Sequence, residues 1–250
     1  MTIKPFRLVQ ISDCHLPADP RTLYRGRNAD WGLESLVEPV AAFGPQLVLA
    51  TGDLSEDASE AAYDRLQNYF RRLGVPVCAL PGNHDDSGVM RHYFPDGPWN
   101  GPLIMPAGEW RLVLLGSAVA GRIDGVISAD AIGSVQAWLD GSPGHPVMVA
   151  LHHQPVEVGS PWIDRYPLQA PGPLLELVQR HHQVRSMVWG HVHQEFDLRL
   201  GNARLLACPS TAANSRPVSL RFTDDPAGPA CRWMLLHADG ELETGLLRAD

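Results

Sequence analysis

Seven side chains able to bind a metal recur in this sequence where an apolar run stops: Asp13 and His15, Asp53, Asn83, His152, and His191 and His193. Carboxylates, imidazoles and one amide carbonyl form a mixed oxygen and nitrogen donor set that suits hard or borderline divalent ions. Asp13 and His15 are two residues apart, as are His191 and His193, and in extended chain such pairs face the same way. Asp13 and His15 are therefore expected to grip one ion while Cys14 packs inward. Two ions with four ligands each need eight positions, so one of seven donors must be shared. A carboxylate can bridge, and Asp53 is the natural choice. His84, next to Asn83, is then beside the metal rather than on it, free for proton transfer, with Asp85 expected to orient its ring. Two adjacent divalent ions can hold an anionic group and lower the pKa of a water between them. Each residue also has a plain reading: Gly82-Asn83-His84-Asp85-Asp86 consists of ordinary turn formers, and lone histidines often sit in cores. His153, His181 and His182 need no role. The plain readings fail together, because every group follows a run that reads as a strand.

Those runs are Phe6 to Ser12, Gln46 to Thr51, Val75 to Leu80, His145 to Leu151 and Val184 to Trp189. Between them, apolar spacing predicts helices over Trp31 to Phe43, Asp57 to Leu73, Ala129 to Asp140 and Pro173 to His182, with Gly44 and Gly74 as stops. Strands alternating with helices imply right-handed crossovers and an α/β sheet whose strand ends carry the donors at one edge. Within the Pro- and Gly-rich stretch 97–125, Arg111 to Gly116 is the one clear strand. After Phe196 the sequence changes to short runs that predict antiparallel strands: Arg204 to Ala207, Ser219 to Phe222, Trp233 to Leu236 and Glu241 to Leu247. Turns are expected at Gly201-Asn202 and Asp239-Gly240.

With 250 residues, 44% hydrophobic and 19% charged, the chain fits one globular domain over 1–250. Acidic residues outnumber basic ones 28 to 20, and no Lys/Arg run offers a stripe for a phosphate backbone, which disfavours nucleic acid as a partner. No apolar stretch suits a membrane span or a signal peptide, so the expected compartment is the cytoplasm. The four cysteines are scattered and read as reduced, buried thiols.

In this order, D-x-H, G-D, G-N-H-D, H-H-x-P and G-H-x-H resemble the calcineurin-like metallophosphoesterase superfamily. The resemblance implies an αββα four-layer sandwich of two mixed sheets with a dinuclear centre. It implies a first site of Asp13, His15, Asp53 and His193, and a second of Asp53, Asn83, His152 and His191. Phosphate contacts would come from His15, Asp53, Asn83, His84 and His193. More closely, the chain resembles the class III bacterial 3',5'-cyclic-AMP phosphodiesterases, through Leu80 to Asp85, Trp162 to Asp164, Gly190 to Leu198 and Leu206 to Thr211. Gln154 and Ala212 to Arg216 depart from that pattern. The expected reaction is hydrolysis of cyclic AMP to 5'-AMP, with iron or manganese favoured and zinc or cobalt acceptable. Other small phosphodiesters such as glycerophosphodiesters, or nucleotide diphosphates, are the alternative substrates. A metal-poor scaffold is disfavoured because it needs no full ligand set. Nothing in the sequence sets the oligomeric state.

Overall fold

The computed structural model describes residues 4–249, so the first three residues and the last of the expected 1–250 domain lie outside the described residues. The first half of the chain runs β1 (Phe6–Ile11), α1 (Ala29–Phe43), β2 (Leu47–Ala50), α2 (Glu60–Leu73), β3 (Val77–Ala79), α3 (Ser87–Tyr93), β4 (Leu103–Ala107) and β5 (Trp110–Leu114). The second half runs α4 (Ala129–Gly141), β6 (Val147–Ala150), α5 (Pro161–Asp164), α6 (Gly172–Arg180), β7 (Val184–Trp189), β8 (Phe196–Leu200), β9 (Ala203–Ala207), β10 (Ala230–Leu236) and β11 (Leu242–Arg248).

Two mixed sheets form, ordered β11-β10-β1-β2-β3 and β4-β5-β6-β7-β9-β8. β1, β2 and β3 are mutually parallel, as are β5, β6, β7 and β9, so their carboxyl ends lie at one edge of each sheet. Three apolar clusters define the layers. Leu8, Leu49, Leu80, Leu112, Met148 and Val188 pack between the sheets. Val9, Val48, Leu33, Leu66 and Phe70 join the first sheet to α1 and α2. Val149, Met187, Leu139, Leu174 and Leu177 join the second sheet to α4 and α6. Both faces of the central strands are thus covered, which is why β2 and β6 read as unbroken apolar runs rather than alternating ones. The layering is the expected αββα sandwich. No described helix is long and apolar enough to cross a membrane.

The element ends follow local chemistry. Asn28 caps α1 by accepting from Trp31 N at 2.8 Å, and the left-handed Gly44 stops it. α2 begins at Glu60 rather than Asp57, because Ser59 is the cap and Asp57 turns back to accept from Ala18 N at 2.8 Å. Three expectations are corrected. β4 pairs antiparallel with β5, a strand that Pro106 hides in the sequence and that is tolerated at a sheet edge. β9 lies parallel to β7, with only β8 antiparallel to it, because the β8–β9 hairpin turns the chain back before it enters the sheet. Ser219 to Phe222 forms no strand; Arg216 accepts from Ser219 Oγ in an irregular loop instead.

Candidate metal centre

Five of the seven predicted donors sit in left-handed backbone: Asp13 (φ 55°), His15 (45°), Asp53 (50°), His191 (66°) and His193 (50°). Non-glycine residues avoid this region, and its concentration at strand ends marks strain held in place by the surrounding fold. The extended geometry expected for Asp13/His15 and His191/His193 is therefore replaced by irregular chain beyond β1 and β7; Asp13 and His15 still converge, whereas His191 and His193 join different groups. Glycines allow that convergence. A Cβ on Gly82 would lie 2.2 Å from Asp53 Oδ1, and one on Gly190 1.9 Å from Ser12 Oγ.

Among the described residues four overlapping groups form; His15, Asp53 and His84 make one and His152, His153 and His191 another, and the remaining two consist of predicted donors alone. Asp13, His15 and His193 offer ligand atoms within 4.8 Å of one another, as do Asp13, Asp53 and His152. His15 Nε2 and His193 Nε2 face each other at 3.1 Å. Asp53 Oδ2 lies 3.8 Å from His15 Nε2 and 3.3 Å from His152 Nε2, between the two groups. Asp13 accepts from His191 N at 3.0 Å through both oxygens.

Outer hydrogen bonds aim the rings. His15 Nδ1 donates to Glu56 Oε2 (2.7 Å), His152 Nδ1 to Thr51 O (2.7 Å) and His193 Nδ1 to Ala213 O (2.7 Å), each leaving Nε2 with a free lone pair. His191 is reversed: Nε2 donates to Tyr166 O (3.1 Å), leaving Nδ1. His153 differs from its neighbour. Its Nδ1 pairs with Ser117 Oγ (2.8 Å) and its Nε2 with Ile123 O (3.0 Å), so both nitrogens are used. Burial pushes His153 down to about 3, and it stays a neutral structural residue.

A divalent cation fits this donor set. Asn83 Oδ1 and His152 Nε2 are buried without a hydrogen-bond partner among the described residues, and two imidazole lone pairs oppose each other across 3.1 Å. Burial pushes His152 down, but Asp53 and then Asp13 outweigh it and raise the group to about 9.

His84 stands at the rim, half-buried, its backbone N–H donating to Asp53 Oδ1 at 2.8 Å. Its Nδ1 lies 3.1 Å from Glu56 O and 3.3 Å from Glu56 Oε2. Glu56 therefore holds both His15 and His84, a role that no spacing in the sequence signals. Asp85 does not orient His84. Its oxygens accept from Gly82 N (2.9 Å), Ser55 N (3.1 Å), Leu54 N (3.2 Å) and Tyr63 Oη (2.7 Å), which ties the β2 and β3 loops together. Burial and the charge of Asp53 raise Asp85 to about 6.

His15, Asp53, Asn83, His84 and His193 line one cavity of about 380 Å³. A groove of about 420 Å³ beside α2 and β3 contains none of the donors.

Residues 6–195 match the family described as calcineurin-like phosphoesterase. The chain is 40% identical over 249 residues to the 3',5'-cyclic adenosine monophosphate phosphodiesterase CpdA of Pseudomonas aeruginosa, covering 97% of this chain and 90% of that protein. It is 33% identical to the phosphodiesterase of the same name from Escherichia coli K12 (97% and 89% covered) and 32% identical to a 3',5'-cyclic-nucleotide phosphodiesterase of Nostoc (98% and 92%). In fold it is similar to a dimetal phosphatase from Danio rerio, with a TM-score of 0.76 at 14% identity over 99% of this chain and 100% of that one.

Proposed function

The chain belongs to the calcineurin-like phosphoesterase family, and on that footing we propose that it hydrolyses 3',5'-cyclic AMP to 5'-AMP with two divalent ions, iron or manganese. Full-length similarity to proteins named as cyclic-AMP phosphodiesterases supports the substrate. The observation that carries the chemistry is the buried donor set in which Asp53 Oδ2 lies between His15 and His152, with Asn83 Oδ1 and His152 Nε2 lacking a hydrogen-bond partner among the described residues. Asp13, His15, Asp53 and His193 would hold one ion and Asp53, Asn83, His152 and His191 the other. When bound, the ions neutralise phosphoryl charge and lower the pKa of the attacking water.

The chain's own groups do the rest. Thr51, Ala213, Glu56 and Tyr166 fix each imidazole by accepting from the nitrogen that faces away from the centre, so little reorganisation accompanies binding. His84 keeps its Nδ1 proton on Glu56 and presents Nε2. Protonated, Nε2 gives its proton to O3' as the P–O3' bond breaks, which a poor alkoxide leaving group requires. His15, Asp53, Asn83, His84 and His193 line the cavity that would receive the phosphate. Buried reduced thiols suit the cytoplasm, and the relatives' coverage suits one catalytic domain over 1–250.

Metal content and bis(p-nitrophenyl) phosphate turnover test the chemistry together. Two ions per chain, with turnover abolished by chelation and restored by manganese, are expected. Turnover that survives complete metal removal would contradict the reading.

A further inference from the structure

The cavity has a second lining that contains none of the metal donors. Tyr24, Arg25 and Trp162 belong to that lining; Trp162 stands with its ring centroid 6.4 Å from that of His193, and Phe222, behind the lining, packs against Trp162 edge to face at 5.4 Å. The Arg25 guanidinium sits 4.1 Å from the Phe222 ring centroid, 5.4 Å from Tyr24 and 5.7 Å from Trp162. Among the described residues, the one hydrogen bond from that guanidinium runs from Nε to Tyr24 Oη at 3.0 Å. The Trp162 indole Nε1–H, buried, has no partner among the described residues.

The backbone is built to hold this cation at the mouth. Tyr24 and Arg27 exchange backbone hydrogen bonds of 2.9 and 2.8 Å around a two-residue turn, with Arg25 at φ 47° and Gly26 at φ 78°. A long side chain rarely occupies that first position, where Gly, Asn or Asp is preferred. Arg27 in turn pairs with Asp224, two residues from Phe222, so the turn is tied to the loop that supplies the ring. Tyr24 stacks on the His15 ring at 4.0 Å and 6°, linking this wall to the metal donors.

We propose that Arg25 and Trp162, held in place by Phe222 behind them, form the subsite for the purine base of the nucleotide, an assignment that rests on the proposed reaction and names what sets its selectivity. An indole ring and a planar guanidinium stack on bases, and the guanidinium N–H groups of Arg25, which make one hydrogen bond among the described residues, match the ring-nitrogen acceptors of a purine edge. A glycerol moiety offers no face to stack. An ammonium headgroup would be repelled by Arg25.

Calorimetric titration of the manganese-loaded full chain with 5'-AMP and with ribose 5-phosphate separates base binding from phosphate binding. Wild type is expected to bind 5'-AMP about tenfold or more tightly than ribose 5-phosphate, as stacking of one base implies. That ratio is expected to fall toward one in Arg25→Gly, which also relieves the left-handed position and so favours folding, and in Phe222→Ala. Equal affinities in wild type, or a ratio retained in either variant, would overturn the subsite. A preserved ratio in wild type that cannot turn over cyclic AMP would leave the subsite standing and remove the proposed reaction instead.

Discussion

Asp53 reaches both donor groups through one oxygen, whereas His193 touches only the group around Asp13 and His15. Asp53→Ala is expected to lower metal content at both sites, and His193→Ala mainly at one; full occupancy of two ions in the Asp53 variant would sink the bridging role. His84 and Glu56 separate in a different way. If His84 donates a proton and binds no ion, His84→Ala keeps its metal while turnover falls by ~10²–10⁴-fold. Glu56→Ala frees His15 as well as His84, so metal affinity should drop by roughly 10–100-fold alongside the rate. Metal analysis with steady-state rates on the two variants decides between these outcomes. Loss of metal from His84→Ala would make it a ligand.

At the scale of elements, two loops must nearly touch for the centre to exist. Gly52 and Gly82 meet where β2 and β3 end, and a methyl group on Gly82 would collide with Asp53 Oδ1 and Asp53 N at 2.2 and 2.3 Å. Gly82→Ala should therefore reduce metal content as severely as Asp53→Ala, even though it removes no donor; unchanged metal content would contradict the close approach. These junctions were readable in the sequence because an apolar run that ends in Gly-Asp, Gly-Asn-His-Asp or Gly-His-x-His advertises both the strand and its cargo. The left-handed conformations of Asp13 and His193 left no such sign, since the donors converge by backbone strain rather than strand alternation. Glu56 was hidden for another reason. It lies in the loop before α2 and contributes through contacts 41 and 28 residues away. Tyr24, Arg25, Trp162 and Phe222 come from three separate excursions that only the folded chain brings together.

For the whole molecule, two sheets with helices on both outer faces leave the described cysteines deep in apolar packing, all four free and buried. Burial pushes the thiols of Cys78 and Cys208 up to about 12. Below about 8.5 they are neutral folded or unfolded; from there to about 12 only the unfolded chain ionises them, so alkaline conditions favour unfolding across that window. The urea midpoint should fall as pH rises from 8 to 10, with no thiol reacting with Ellman's reagent before unfolding. Fast labelling of the native chain would contradict that burial. The central claim joins this scaffold to one reaction, and the specificity constants of the manganese-loaded protein for cyclic AMP, cyclic GMP, 2',3'-cyclic AMP and a glycerophosphodiester test it most directly. The proposed reaction predicts that cyclic AMP is the preferred substrate and that 5'-AMP is the product, whereas far faster turnover of the glycerophosphodiester, or 3'-AMP as product, would contradict it.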